Sequence, residues 1–225
     1  MYRAYKFRLY PNKDQKTLIN QTFGCNRMIY NYYLAKMKDN GYQNAYSNIS
    51  DYVNNLKYEY PFLQDVDSMT IRKSLFNLDN ACLKMFNEHT GYPKFKNKFS
   101  KNGYNTVAIY RKYKDKEYCN IELDLSNKLI KLPKLKWVTI KGYRNTTLIK
   151  GIIKSVTISR ESNGKYYVSV LYEQDDNIIP KLTPRSIVGI DLGVKKLLTL
   201  SDGTTYDNNK YILKYEKRII KKRKV

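Results

Sequence analysis

The period of the apolar residues changes twice along this chain, and these changes limit its fold more than any other feature. Residues 2–10 alternate between an apolar and a polar face, which predicts a strand stopped by Pro11. The period is helical in residues 12–92, and beyond them short runs of β-branched and aromatic residues predict strands. One strand, then helices, then many strands is the pattern of an α+β fold.

Three helices are predicted after the first strand. The first is expected over residues 13–39 and ends at Asn40-Gly41. The second is capped by Ser47 or Asn48, and the third opens at Ser68. Apolar residues of the third helix recur at helical spacing: Ile71, Leu75, Leu78, Cys82 and Met85. Such stripes pack against one another, so we expect a small helical bundle.

Many short strands are expected in the second half of the chain. Turn residues separate them, and Asn163-Gly164 is the clearest turn because Gly readily adopts positive φ. Strands at this spacing are typical of a compact barrel, and residues 175–184 would link it to the strand that leads into Asp191. The expected strands are residues 105–111, 118–124, 128–132, 137–143, 152–160 and 165–173.

A short apolar run, Ile187–Ile190, delivers one carboxylate, Asp191, to the tip of a predicted buried strand. A second strand then returns to a turn at Asp202-Gly203. Units of this kind form the first strands of ribonuclease-H-like folds. In nucleases the carboxylate binds a divalent metal, whereas in actin-like and sugar-kinase ATPases hydroxyl residues in the following turn hold phosphate. Val194 and Lys195 carry no hydroxyl, which weakens the ATPase alternative, and a simple strand-end cap is the third possibility.

The chain carries a strong excess of positive charge. Its 42 Lys and Arg residues against 20 Asp and Glu give a net charge of +22. Such a field repels itself unless a polyanion neutralises it, so nucleic acid is the expected partner. A membrane surface is the rival, but the sequence has neither an amphipathic helix with a bulky apolar face nor a lipidation motif. The 23 Tyr residues can stack on bases, although AT-rich coding also enriches Lys, Asn, Ile and Tyr.

Cysteine and histidine usage excludes several kinds of site. Cys25, Cys82 and Cys119 are widely spaced and form no C-x-x-C pair, which argues for a reducing compartment and against a zinc site. His89 is the only histidine and lies at a predicted helix end, so serine-histidine and cysteine-histidine catalysis are not expected. No signal segment or run of transmembrane length is present, so a cytoplasmic protein without a membrane partner is expected.

Two segments concentrate the basic residues. Cationic and aromatic residues alternate in residues 94–101, where Lys94, Lys96 and Lys98 would share one face of an extended strand. That face either contacts phosphates or is the solvated face of an edge strand, and the charge of the chain favours phosphates. Residues 210–225 predict a basic helix with three apolar residues at helical spacing: Tyr211, Tyr215 and Ile219.

The order of these elements, and six stretches spread from end to end, resemble the TnpB family of transposon-encoded RNA-guided DNA nucleases, which are related to type V CRISPR effectors. The stretches are Tyr5-Lys6-Phe7-Arg8-Leu9-Tyr10-Pro11-Asn12, Phe23-Gly24-Cys25-Asn26-Arg27, Gly91-Tyr92-Pro93-Lys94-Phe95-Lys96, Ile130-Lys131-Leu132-Pro133-Lys134, Lys154-Ser155-Val156-Thr157-Ile158-Ser159-Arg160 and Val188-Gly189-Ile190-Asp191-Leu192-Gly193. They occur in the family's order, which makes the resemblance specific.

The resemblance implies a division of the chain into domains. Residues 1–11 and 93–180 would form a wedge β-barrel, residues 12–92 an inserted helical recognition domain, and residues 185–225 part of a RuvC-like nuclease domain with the RNase H-like fold. Asp191 would be the first catalytic carboxylate and a ligand of Mg²⁺ in a complete site. The implied partners are a structured guide RNA and DNA. The candidate nucleic-acid-binding residues are Lys6, Arg8, Arg27, Lys94, Lys96, Lys98, Lys101, Lys217, Arg218, Lys221 and Lys222.

The sequence departs from the family pattern at its C-terminal end. Family members are longer, and their second catalytic Glu, four-Cys zinc module and last catalytic Asp would lie beyond Val225. One Asp cannot hold the cations of a phosphodiester-cleaving site, and Glu216 and Asp207 sit in a basic helix and a loop-like context instead. Three hypotheses remain: a truncated nuclease that binds without cutting, a guide-dependent DNA-binding repressor, and one half of a split nuclease.

Overall fold

The computed structural model describes most of the chain, and its residues separate into two compact units, Met1–Ile179 and Pro180–Val225. The cap expected at Ser47 or Asn48, the candidate Lys101 and the linker expected at residues 175–184 lie outside the described residues. The described residues are 1–41, 49–99, 102–114, 116–142, 149, 151–174 and 187–223.

The first unit is built on a seven-stranded antiparallel sheet. Its strands are β1 (Tyr2–Tyr10), β2 (Asn102–Val107), β5 (Glu122–Asp124), β6 (Leu129–Leu132), β7 (Lys136–Lys141), β8 (Ile152–Arg160) and β9 (Tyr166–Glu173). They lie in the order β2-β8-β9-β1-β7-β6-β5. Strands β3 (Tyr110–Tyr113) and β4 (Lys116–Cys119) form a separate hairpin. Among the described residues no pairing returns from β5 to β2, so the closed barrel stays a prediction.

The first strand of the chain lies in the middle of this sheet. β1 pairs with β9 from Tyr2 opposite Glu173 to Leu9 opposite Tyr166, and its C-terminal end pairs with β7 on the other side. The predicted alternation is confirmed, because Phe7 and its apolar neighbours on β1 are buried whereas Lys6 is exposed. The three described helices of this unit lie between β1 and β2 along the chain.

Two of the predicted strands are each interrupted by the side chain of Asn120. The strands expected over residues 105–111 and 118–124 appear as four shorter ones. Asn120 Oδ1 accepts from Ile109 N at 2.7 Å, and Asn120 Nδ2 donates to Val107 O at 3.2 Å. Because a short amide side chain can replace a ladder partner in this way, it ends the regular pairing on both segments.

The helical part consists of α1 (Lys13–Asn40), α2 (Ile49–Glu59), a 3₁₀ turn (Pro61–Gln64) and α3 (Ser68–Glu88). Asn12 and Gln15 form a capping box at the start of α1, and Gly41, with φ +74°, follows its predicted end. The stripe predicted for α3 is confirmed, since four of its five residues are buried: Ile71, Leu75, Leu78 and Cys82. Among the described residues, none of the helices combines the length and apolar character needed to cross a bilayer.

Helix α1 belongs to two hydrophobic cores at once. Ile19 and Phe23 pack into the core of the sheet. Ile29 and Leu34, further along the same helix, pack with α2 and α3 into a second core. A 28-residue helix is about 42 Å long, which is enough to reach from one core to the other. A single continuous helix, rather than a loop, therefore joins the core of the sheet to the core of the helices.

The second unit has the predicted order of strand, carboxylate, turn and strand. Its elements are β10 (Ile190–Asp191), β11 (Lys196–Leu200), β12 (Thr205–Asp207) and α4 (Tyr211–Arg223). β10 and β11 are antiparallel, and Gly203, with φ +87°, makes the turn from β11 to β12. The expectation of a buried strand over Ile187–Ile190 is wrong, because the strand begins only at Ile190 and its residues are exposed. None of the described residues of this unit whose side chains are placed is buried, and Ile187 and Val194 are 85% and 86% exposed.

We predict that hydrogen exchange separates the two units. Amides of residues 187–200 should exchange fast, because their strands lack a buried apolar face, whereas amides of residues 156–171 on β8 and β9 should exchange slowly. Mass spectrometry of peptides from the purified chain measures both rates in one experiment. Equal protection of the two segments would contradict the prediction.

Candidate nucleic-acid interface

The polar face of β1 presents two of the predicted cations among aromatic rings. Lys6 Nζ lies 3.0 Å from Glu161 Oε1 and 4.4 Å from the centroid of the Tyr167 ring. The Arg8 guanidinium lies 4.8 Å from the Tyr10 ring. Alternation along β1 places both side chains on the face opposite the core. This face of the sheet therefore combines positive charge with aromatic surface.

The strand expected over residues 94–101 does not form in its described part. Residues 94–97 have no regular structure, and Lys98 and Phe99 lie in a turn. Asn97 Oδ1 accepts from Phe99 N at 2.9 Å and so fixes that turn. The expectation that three lysines share a strand face is wrong, because side-chain amides rather than a neighbouring strand satisfy this backbone.

Lys96 differs from the lysines on either side of it. Its backbone N and O both bond the Asn31 side chain at 2.8 Å, which ties the segment to α1. Its Nζ lies 3.7 Å from the ring centroid of Tyr30, a buried residue, and desolvation there lowers the pKa of Lys96. All three lysines are exposed, but Lys96 also anchors the segment to α1, which leaves Lys94 and Lys98 as the more available contacts for phosphates.

A cleft of about 550 Å³ collects cations from three separate parts of the first unit. Its lining residues are Lys6, Lys98, Phe99, Asn102, Ser159, Arg160, Glu161, Ser162 and Gly164. Three of these side chains are cationic and one is a carboxylate, so the cleft is positive overall. Arg27 is linked to it, because its Nη1 donates to Asn102 Oδ1 at 2.9 Å. Of the predicted residues, the fold thus brings together Lys6, Lys98 and Arg27.

Sequence reasoning named only Lys6 and Lys98 among the lining residues of this cleft and missed the others, most notably Arg160 and Phe99. Arg160 directly precedes the turn at Asn163-Gly164, which was predicted correctly. Its Nη1 donates to Asn20 Oδ1 at 3.0 Å, which holds the guanidinium against α1. The alternation of cations and aromatics drew attention to the segment around Phe99. Only the pairing of β1 with β9 and of β9 with β8 tells which strand ends meet there.

The basic helix α4 carries the other predicted cations. Arg218, Lys221 and Lys222 are exposed and, with Ile219, line an open hollow of about 940 Å³. Lys217 lies within the helix, but its side chain is outside the described part of the structure. The rings of Tyr211 and Tyr215 stack with their centroids 6.5 Å apart. The three apolar residues therefore follow one another at helical spacing on α4, as predicted. All three, Tyr211, Tyr215 and Ile219, are exposed.

Asp191 is an exposed carboxylate on β10, opposite Thr199 of β11. Within the described residues no group of three His, Cys, Asp or Glu side chains is placed to hold a metal ion. A hard cation such as Mg²⁺ needs several oxygen ligands, and one carboxylate supplies too few. The described residues alone therefore do not fit a magnesium site, and no cleavage step can be derived from them.

Two curated relatives align with nearly the whole chain. A protein of Escherichia coli (strain K12), named "Putative RNA-guided DNA endonuclease InsQ", is 31% identical over 223 residues, which cover 96% of this chain and 52% of the relative. A "Putative RNA-guided DNA endonuclease" of Streptomyces pristinaespiralis is 30% identical over 227 residues, covering 97% and 53%. The chain is therefore similar over nearly its whole length to proteins of the TnpB type. It spans about half the length of the curated relatives it matches.

Other comparisons add one match to part of the chain and two weak structural ones. A family described as "Helix-turn-helix domain" matches residues 1–45 of the chain. The described part of that range is β1 followed by one continuous helix, α1. "Cryo-EM structure of the Cas12f1-sgRNA-target DNA complex" shares 16% identity with a TM-score of 0.36, covering 100% of this chain and 61% of the other. "Cryo-EM structure of CRISPR-Cas12f Ternary Complex" shares 13% with a TM-score of 0.42, covering 94% and 52%. Both TM-scores are too low to establish a shared fold.

We predict that the lysines of residues 94–98 contribute unequally to nucleic-acid binding by this chain. The double variant Lys94→Gln/Lys98→Gln should lower the slope of log affinity against log salt by about 1.4 to 1.8, since each lost phosphate contact removes about 0.7 to 0.9. Lys96→Gln should change the slope by less than half of one contact, because its ammonium is held against Tyr30.

Fluorescence anisotropy with a labelled RNA hairpin over a salt series measures these slopes. Lys84→Gln, on the exposed face of α3, is the matched control for loss of one charge. An effect of Lys96→Gln as large as that of the double variant would contradict the prediction. An unchanged slope in the double variant would show that Lys94 and Lys98 are merely solvated.

Proposed function

We propose that this chain is a TnpB-family protein that binds a structured guide RNA and DNA, and that it does so mainly through their phosphates. The observation that carries the proposal is the cleft in which β1, Lys98 and the end of β8 bring three cations together. Clustered cations of this kind release counterions when they contact a phosphate backbone, and this release drives binding. The net charge of +22 and the printed names of the two relatives support the same partner class.

The domain division implied by the family resemblance is part of this proposal. Residues 1–11 and 93–180 would form the wedge domain, and residues 12–92 the recognition domain. The central position of β1 in the sheet supports this division, because the helices lie between β1 and β2 along the chain. Residues 185–225 would be part of a RuvC-like domain. Asp191 would then be its first metal-binding carboxylate, with the remaining ligands supplied from outside the described residues.

A binding role without cleavage is the form of this function that the described residues support best. Asp191 stands alone on β10, and the apolar side chains around it, such as Ile187 and Val194, are exposed. Such a strand is usually covered by neighbouring elements in an open sheet. A guide-dependent repressor and one half of a split nuclease share this binding chemistry, and they differ in whether a second chain completes the site.

The first test is the salt dependence of RNA binding by the purified 225-residue chain. If about six phosphates are contacted, affinity for a structured RNA should fall by about a thousandfold between about 50 and 200 mM salt. A filter-binding series with a folded RNA hairpin and a DNA duplex of equal length measures this dependence for both nucleic acids. Binding that is flat across the series, or absent at low salt, would overturn the proposal.

We also predict that Asp191→Ala leaves both binding and cleavage unchanged in this chain. The carboxylate is exposed on a strand without two further candidate ligands among the described residues, so it has no cleavage rate to support. Incubation of labelled DNA with the chain in Mg²⁺ or Mn²⁺ checks this, with Asp207→Ala on β12 as the matched control. Metal-dependent cutting that Asp191→Ala abolishes and Asp207→Ala preserves would contradict the prediction.

A further inference from the structure

Phe99 is an exposed aromatic side chain at the cation-rich cleft. It is 86% exposed, although it directly lines the cleft together with Lys98. Its turn is not loose, because Asn97 Oδ1 accepts from Phe99 N, and Asn31 binds the backbone of Lys96 three residues earlier. A ring whose backbone is held in this way presents a flat apolar face to an incoming group at a reduced entropic cost.

The cations of the cleft are not equivalent. Lys6 is already paired with Glu161, so its charge is largely offset within the cleft. Arg160 is positioned by Asn20 through one of its guanidinium nitrogens, which leaves further N–H donors of the fork for an anion. Lys98 Nζ lies 5.1 Å from the Phe99 ring, where a phosphate next to a stacked base could reach it. Two cations and one ring therefore converge on the same opening.

We propose that this cleft binds one unpaired nucleotide, with its base stacked on Phe99 and its phosphate held by Lys98 and Arg160. This inference rests on the proposed function and names the part of the nucleic acid that the cleft receives. An aromatic face can stack only on a base whose own face is free, which in a duplex is covered by the neighbouring pairs. The volume of about 550 Å³ falls within the range of about 300–1,000 Å³ typical of small-ligand sites.

Neighbouring groups suit a nucleotide better than an isolated phosphate ion. An inorganic anion would bind the cations but would not stack on Phe99, so the exposure of that ring would remain unexplained. A single-stranded segment uses both, because base stacking and phosphate contact occur one nucleotide apart. RNA and DNA carry the same two features, so a nucleotide of either kind fits this chemistry, and separate probes distinguish them.

The test compares Phe99→Ala with Phe99→Trp in the full 225-residue chain. The probes are labelled ten-nucleotide oligouridine, ten-nucleotide oligothymidine and a DNA duplex of equal length. Phe99→Ala should weaken binding of at least one single-stranded probe by about fivefold or more, whereas Phe99→Trp should retain it. Duplex affinity should change by less than about twofold, because no base face is available to the ring. Tyr58→Ala is the matched control, since Tyr58 on α2 is 90% exposed and does not line the cleft.

Salt dependence separates stacking from charge. Phe99→Ala should lower affinity by a constant factor at every salt concentration and leave the slope unchanged. Lys98→Gln should lower the single-strand slope by about 0.7, the value of one phosphate contact, with Lys84→Gln as the charge-matched control. Thermal unfolding followed by circular dichroism should be the same for all these variants, because the substituted side chains are exposed.

Two outcomes would overturn the inference, and they differ from each other. If the unmodified chain binds none of the probes at low salt, both the proposed function and the cleft assignment fail. If it binds them but Phe99→Ala behaves as Tyr58→Ala does, nucleic-acid binding stands and the unpaired-nucleotide site is rejected. Equal loss of duplex and single-stranded binding in Phe99→Ala would reject it as well.

Discussion

The pairing of β1 with β9 is the interaction on which the rest of the first unit depends. Tyr2 lies opposite Glu173, and the N-terminal ammonium of Met1 donates to Gln174 O at 2.7 Å, 173 residues along the chain. Closing so long a loop costs conformational entropy, which increases only slowly with its length. Burial of alternating residues on both strands, such as Phe7 and Val168, offsets that cost. The sheet is therefore completed only when the two ends of this unit meet.

This long-range closure also explains why the helices are held to the sheet so firmly. Because β1 leads directly into α1, the start of that helix is fixed by the sheet. Gln15 Nε2 donates to Leu135 O at 3.0 Å and to Trp137 O at 2.9 Å, so this residue of the capping box also binds the β6–β7 connection and the start of β7. From this fixed start α1 runs into the second core, where α3 packs against it. A change in the sheet register would therefore displace the helices too.

Local patterns in the sequence predicted most elements but not the way they meet. The limits of α1, the apolar stripe of α3 and the Asn163-Gly164 turn were predicted because each depends on neighbouring residues alone. The interruption at Asn120 was not, since it depends on a side chain binding across to Val107. Likewise a bulge between Ile153 and Ser155 shifts the register of β8, so its buried residues do not alternate strictly.

The candidate site follows the same division between local and long-range information. The cationic character of residues 94–98 was evident from composition, and Lys94 and Lys98 are indeed exposed. The anchoring role of Lys96 needed Tyr30 and Asn31, which lie on α1. The meeting of Lys6 with Arg160 needed the order β8-β9-β1. The cleft exists only when β1 has joined β9. A ligand that binds only the folded form stabilises that form, so a nucleotide held in the cleft would stabilise the pairing of the two ends of this unit. Positive charges that repel one another in the free fold would become favourable contacts in the same step, so nucleic-acid binding and closure of the sheet should reinforce each other.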